Sequence, residues 1–241
     1  TLEFNYTSDR TQPEVQSATS TPNTFYRSDY QNNIGIRRSN ASSINVEFVF
    51  GEEIIGAEIS DINTMNADVS NFSGSGTTYS YTLTPTNTSS NDEYVYAASY
   101  QFGTDLAGNN ASAYSFTNTG TLYEGLGYVY FISDKVAPSI IIESSTVSDG
   151  DASQDSSIAL TFTTSESTTN FVSSDITVSG GSISNFSGSG TSYSATFTPT
   201  GQGATSIDVN AGAFTDEAGN NNTAATQFNW LYDTTPPSIT I

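Results

Sequence analysis

Apolar and polar side chains alternate in short runs along most of this chain. Ile158, Leu160 and Phe162 are separated by Ala159 and Thr161, and Tyr193, Ala195 and Phe197 by Ser194 and Thr196. Phe228, Trp230 and Tyr232 repeat the pattern around Asn229 and Leu231. A period of two puts alternate side chains on one face of an extended chain, so each run predicts a half-buried β-strand. The same reading places strands at residues 140–142, through Phe171 to Ile176 and Val178, around Ile183 and Phe186, and at Ile207 and Val209. Gly188-Ser-Gly190 reads as the turn before the strand holding Tyr193, and Trp230 as a core residue. No segment sustains a helical period. About seven short strands per hundred residues, with turn residues between them, predict an all-β fold of two-sheet sandwiches.

The pattern also repeats. Asn71-Phe-Ser-Gly-Ser-Gly-Thr recurs as Asn185-Phe-Ser-Gly-Ser-Gly-Thr at an offset of 114 positions. The offset carries Ile44 onto Ile158, Phe48 onto Phe162, Glu52 onto Glu166 and Asp61 onto Asp175. A second repeat, D-x-x-x-P, occurs at Asp9, Asp134 and Asp233, each after an aromatic segment: Phe4-Asn-Tyr6, Val129-Tyr-Phe131 and Phe228-Asn-Trp230. These marks predict the last strand of a preceding repeat at 1–9, a first domain with insertions at 10–134, a second at 135–233, and a linker with the first strand of a following repeat at 234–241. Excision from a longer array accounts for the two ends better than strand exchange between chains. Tandem modules are more often used for reach and spacing than for one catalytic centre.

The first copy is longer. Its stretch from Pro13 to Ser43 spans 30 residues against 19 from Pro138 to Ser157, and that from Asn109 to Asp134 spans 25 against 13 from Asn220 to Asp233. Residues 119–127 look like an added hairpin. Arg10, Arg27, Arg37 and Arg38 lie in the linker and the first of these extensions. Loops are where a repeated scaffold acquires individuality.

Composition then narrows the function. Lys and Arg number 5, Asp and Glu 25, for a net charge of −20. From Pro138 through Asp233 there are ten acidic residues and no basic one. Phosphate neutralisation needs Lys and Arg, so nucleic acid is excluded as a partner and an anionic membrane surface is disfavoured. No stretch is long and apolar enough to predict membrane insertion. There is no Cys, so neither disulfides nor thiolate metal sites hold the modules. With no Cys and no His, and with Lys135 in a linker, the familiar activated nucleophiles and bases are missing, and no enzyme is predicted. A carboxylate-pair glycosidase would need two acids facing across a cleft, whereas these acids gather at module ends.

The D-x-x-x-P linker, the run Ser174-Asp-Ile-Thr-Val-Ser-Gly-Gly and the run Ala211-Gly-Ala-Phe-Thr-Asp-Glu-Ala-Gly-Asn-Asn resemble bacterial Ig-like repeats of very large surface adhesins, including biofilm-associated and RTX-type proteins. The likeness covers almost all of the second module. In the first it covers the module with two insertions, its G-x-F-T-D segment becoming Tyr100-Gln-Phe-Gly-Thr-Asp105. The resemblance implies tandem immunoglobulin-like β-sandwiches without disulfides, forming an extracellular, calcium-rigidified stalk for cell adhesion. Neighbouring repeats of the same polypeptide would be its partners.

A calcium site has its own argument from the residues. In an Ig-like sandwich the B–C and F–G loops lie at the end where the incoming linker arrives. In the second module Glu166 is expected in the B–C loop, Asp216 and Glu217 in the F–G loop, and Asp134 in the linker. The first module offers Glu52 with Glu53, Asp105 and Asp9 in the same places. Three carboxylates plus loop carbonyls suit Ca²⁺, which takes six to eight oxygen ligands. Ordinary solvated turn acids are the alternative. A second cluster, Asp149, Asp151 and Asp155 near Asp233, resembles part of an EF-hand loop without its glycine and its final glutamate. Two other functions stay open. The tyrosines of the inserted segments (Tyr26, Tyr30, Tyr123, Tyr128) would bind a surface glycan or protein, or the chain would be the shaft of a phage or cell-surface filament.

Overall fold

The alternation read from the chain becomes strands in both halves of a computed structural model that describes residues 9–21, 38–86, 93–99, 101–112 and 128–241. Contacts divide the chain into two units, Thr1–Lys135 and Val136–Ile241. In the first lie β1 (Val15–Thr21), β2 (Arg38–Ser39), β3 (Ile44–Ile54), β4 (Ile62–Met65), β5 (Ala67–Pro85), β6 (Glu93–Ser99), β7 (Gln101–Thr104), β8 (Asn110–Ser112) and β9 (Tyr128–Ser133). One sheet has the order β1-β3-β5, a second β2-β9-β6-β4, and β7 and β8 form a separate pair.

The second unit contains β10 (Ile140–Ser144), β11 (Ala152–Ser153), β12 (Ile158–Thr168), β13 (Ile176–Ser179), β14 (Gly181–Pro199), β15 (Gly203–Val209) and β16 (Phe228–Tyr232). Its sheets run β10-β12-β14 and β11-β16-β15-β13. The two units therefore share one strand order, and both are all-β sandwiches.

Alternation explains each core. Along β12, Ile158, Leu160 and Phe162 are buried while Ala159, Thr161 and Thr163 face solvent. Their partners Phe197, Ala195 and Tyr193 sit directly opposite on β14. Trp230 is 1% exposed and meets Phe197 edge-on at 6.0 Å. Its indole N–H donates to Ser153 Oγ at 3.1 Å, so the one polar atom of the ring is not stranded. Burial of each such side chain contributes about 1.5–3 kcal/mol.

Three details differ from the sequence reading. Phe171 is not in a strand. It is buried ahead of a 3₁₀ turn at Ser173–Asp175, wedged among Phe162, Phe186, Tyr193 and Phe214, and the strand starts only at Ile176. Second, β14 runs through the Gly188-Ser-Gly190 turn and doubles back on itself. Ser187 Oγ lies 3.2 Å from Ser194 Oγ, and Thr200 N–H donates to Gly180 O at 3.0 Å. Gly188 has φ 138°, and a Cβ there would come within 2.4 Å of Ser192 O, so the turn demands glycine. Third, β11 is a two-residue strand, parallel to β16, that no periodicity could reveal. Tyr6 and residues 119–127 lie outside the described residues.

Candidate functional site

Asp9, Glu52 and Asp105 come together at one end of the first unit. Each offers a carboxylate oxygen, and these oxygens lie within 4.8 Å of one another. They line a cavity of about 380 Å³ with Glu53, Leu106 and Ala107.

Three local devices place these side chains. Asp9 begins the linker, where its Oδ1 accepts Thr11 N–H at 2.9 Å and its carbonyl accepts Asn109 Nδ2 at 3.4 Å. Pro13 is buried, and Gly51 N–H donates to Glu14 O at 3.0 Å, which lays the linker along β3. Glu52 was expected in a loop. It lies instead on β3, where the register with β5 slips between Val49 and Ile54. A slip of this kind re-aims a strand's side chains. Just beyond it, Ile55 N–H donates to Thr104 O at 2.7 Å and Thr104 N–H to Ile55 O at 2.9 Å. That exchange stitches the end of β3 beside Asp105.

Asp105 is held by its own turn. It is 2% exposed. Oδ1 accepts Asn109 N–H at 2.8 Å and Oδ2 accepts Asn109 Nδ2 at 2.7 Å. Burial raises its pKa, but hydrogen bonds from the Asn109 side chain and from the backbone of Asn109, Ala107 and Gly108 outweigh it, holding the carboxyl below 3.8. Glu52 is displaced the other way. Desolvation first, then the charges of Asp9 and Asp105, push it above 4.5. The three groups thus repel, and one of them is close enough to its neighbours for its proton affinity to rise.

The second unit repeats the parts within its own bounds. Glu166 sits on β12 in the matching register slip between Thr163 and Thr168, not in a loop. Asp216 Oδ1 accepts Gly219 N–H at 2.8 Å and Asn220 N–H at 2.9 Å, and Oδ2 accepts Asn220 Nδ2 at 2.9 Å. Carboxylate oxygens of Glu166 and Asp216 lie within 4.8 Å of each other. Asp134 belongs to the first unit and, in the whole chain, is 1% exposed. The sequence motif D-x-A-G-N signalled this turn, but not that its asparagine would lock the aspartate from two sides.

The acids of the EF-hand-like stretch are committed locally. Asp149 Oδ1 accepts Asn229 N–H at 2.7 Å, Asp151 Oδ2 accepts Ser148 N–H at 3.1 Å and Asp155 Oδ2 accepts Ser153 Oγ at 2.8 Å. Asp61 and Asp175, repeated at the same offset, likewise accept the N–H groups of Glu58 and Val172. Tyr26, Tyr30 and Tyr123, and the side chain of Tyr128, lie outside the described residues.

A family model for the bacterial Ig-like domain matches residues 30–122 and 134–232. No curated protein matches the chain. Among solved structures, InvD of Yersinia pseudotuberculosis matches at 12% identity and TM-score 0.36, over 94% of this chain and 60% of that one. The adhesin InvE of the same organism matches at 12% identity and TM-score 0.27, over 82% and 56%. The chain thus spans less than two thirds of either protein, and at this likeness the sandwich assignment rests on strand order.

Proposed function

Because this chain belongs to the bacterial Ig-like domain family, we propose that it is a structural and adhesive repeat segment of an extracellular surface protein, rigidified by calcium where linkers enter its modules. The reading rests on the convergence of Asp9, Glu52 and Asp105. Two oxygens bound to one Ca²⁺ at about 2.3–2.6 Å each can stand no more than about 5.2 Å apart. The carboxylate oxygens lie within 4.8 Å of one another, inside that limit, which supports the reading. The all-oxygen, strongly anionic donor set suits a hard cation, and a bound ion would convert the repulsion at Glu52 into attraction. By sequence correspondence Glu166 and Asp216 are the second unit's counterparts of Glu52 and Asp105. Tying a linker to a strand end and a turn would turn a string of modules into a semi-rigid rod, a role that calls for no catalytic group. Small-angle scattering and thermal melting with and without a chelator test this. Calcium should lengthen the maximum dimension and raise the midpoint; no change in either defeats the calcium reading.

A second reading, a glycan- or protein-binding module, has one favourable observation. On the second sheet of the first unit Tyr94 is 45% exposed, Met65 is 48% exposed, and Tyr94 stacks on Tyr96 at 6.5 Å. Register places Ala204, Ser206 and Ser179 at the matching positions of the second unit. The scaffold therefore does not require these aromatics. Glycan-array binding that is lost in Tyr94→Ala would favour this reading, and a blank array would leave the stalk.

A further inference from the structure

Lys135 is the single lysine of a chain with five cationic side chains, and it ends the first unit. Its Nζ donates to two main-chain carbonyls, Asn40 O at 2.6 Å and Ala41 O at 2.5 Å. Beside it, Arg38 Nη1 lies 3.7 Å from Oδ2 of Asp134, a residue only 1% exposed. Consecutive residues of the exit segment are thus tied back to residues 38–41, Asp134 to Arg38 and Lys135 to Asn40 and Ala41.

The backbone there is a short parallel ladder. Arg38 pairs with Ile132 and Ser39 with Ser133, and Asp134 N–H extends the ladder to Ser39 O at 3.0 Å. The second unit builds the same ladder: Ala152 pairs with Leu231, Ser153 with Tyr232, and Asp233 N–H donates to Ser153 O at 2.9 Å. Its side chains differ. Ala152 stands in place of Arg38 and Thr234 in place of Lys135. Asp233 is exposed and accepts hydrogen bonds from Thr235 N–H and Gln202 Nε2. The fold therefore needs the ladder but not the cations. A nearly buried carboxylate is held by hydrogen bonds, as Asp105 is, or by a counter-charge such as Arg38 beside Asp134, and an ammonium set against two carbonyls strengthens both hydrogen bonds.

We propose that Arg38 and Lys135 form an ion-independent clamp that holds the exit segment of the first unit closed on β2 and fixes Asp134 in place without bound metal. The clamp goes beyond the calcium reading and does not depend on it. It concerns how the chain leaves a module when no ion is present.

The lone lysine supplies the assay. A lysine-specific endoprotease has one target here, the Lys135–Val136 bond. Cutting requires Nζ to leave its carbonyls and the ladder to open, so the rate follows the opening equilibrium. In chelator the native chain should resist, and Arg38→Ala should be cut about tenfold faster, the ratio set by about 1.4 kcal/mol of lost closure. Amide exchange gives a second readout: Asp134 should exchange about tenfold faster in Arg38→Ala than in the native chain, on the same opening scale. Unchanged exchange in β3 and β6 would show that the first unit is still folded. Equal cutting and exchange in native and Arg38→Ala chains overturn the clamp. Protection that vanishes on chelation alone also overturns it while leaving the calcium reading intact.

Discussion

At the scale of single residues, the candidate site is a balance between two carboxyl groups displaced in opposite directions. Asp105, held below 3.8 by its turn, contributes stability that is present above the ordinary aspartate range and lost as pH falls through its lowered value. Glu52, pushed above 4.5, does the reverse. Its stabilising contribution is complete below 4.5 and disappears as pH rises through the raised value. Glu52→Gln should therefore raise the thermal midpoint of the first unit at pH 7 in chelator. The gain should shrink as the buffer is acidified through the Glu52 titration, and the calcium-dependent rise in midpoint should be lost. A lower midpoint in chelator would refute the repulsion. Asp105 was legible in the sequence because D-x-A-G-N repeats as Asp216-Glu-Ala-Gly-Asn. Its near-complete burial was not, since that depends on how the turn packs back on the unit.

At the scale of elements, the repeated N-F-S-G-S-G-T block is a hairpin whose turn is sterically constrained. Gly188 has φ 138° with Ser192 O and Tyr193 Cα on the side where a Cβ would go, and Gly74 has φ 147° against Thr78 O and Tyr79 Cα. Gly188→Ala should destabilise the second unit by about 1–3 kcal/mol in denaturant unfolding, from an unfavourable φ and a backbone clash. A change under about 0.5 kcal/mol, ordinary for a surface substitution, would mean the turn is loose. The strand that follows the block carries a buried tie. Tyr79 Oη donates to Ile54 O at 2.7 Å and Tyr193 Oη to Thr168 O at 2.8 Å, each at the far edge of the register slip that holds Glu52 or Glu166. The hairpin therefore fastens the strand end that carries a candidate ligand. Alternation located β12 at Ile158–Phe162, and the strand runs on to Thr168 because the chain stays extended through the slip in pairing, where the alternation stops.

Across the whole molecule, 25 acids against 5 bases set the terms on which the modules can interact. Like charges repel, and cations, bound or built in, offset that repulsion where acids gather. The proposed calcium would be a bound cation, and Arg38 beside Asp134 is a built-in one. What the sequence determined by itself was the all-β class, the doubling of the module and the turn and linker acids. Each is local, being set by a period of two, by an offset or by a short motif. Tertiary structure alone decided that Glu52 sits on a slipped strand, that Asp9 is drawn to Asn109, and that Arg38 meets Asp134 from 96 positions earlier. Those contacts depend on which strands pair and in what register, and the pairing is settled by packing two sheets over one core rather than by neighbours along the chain.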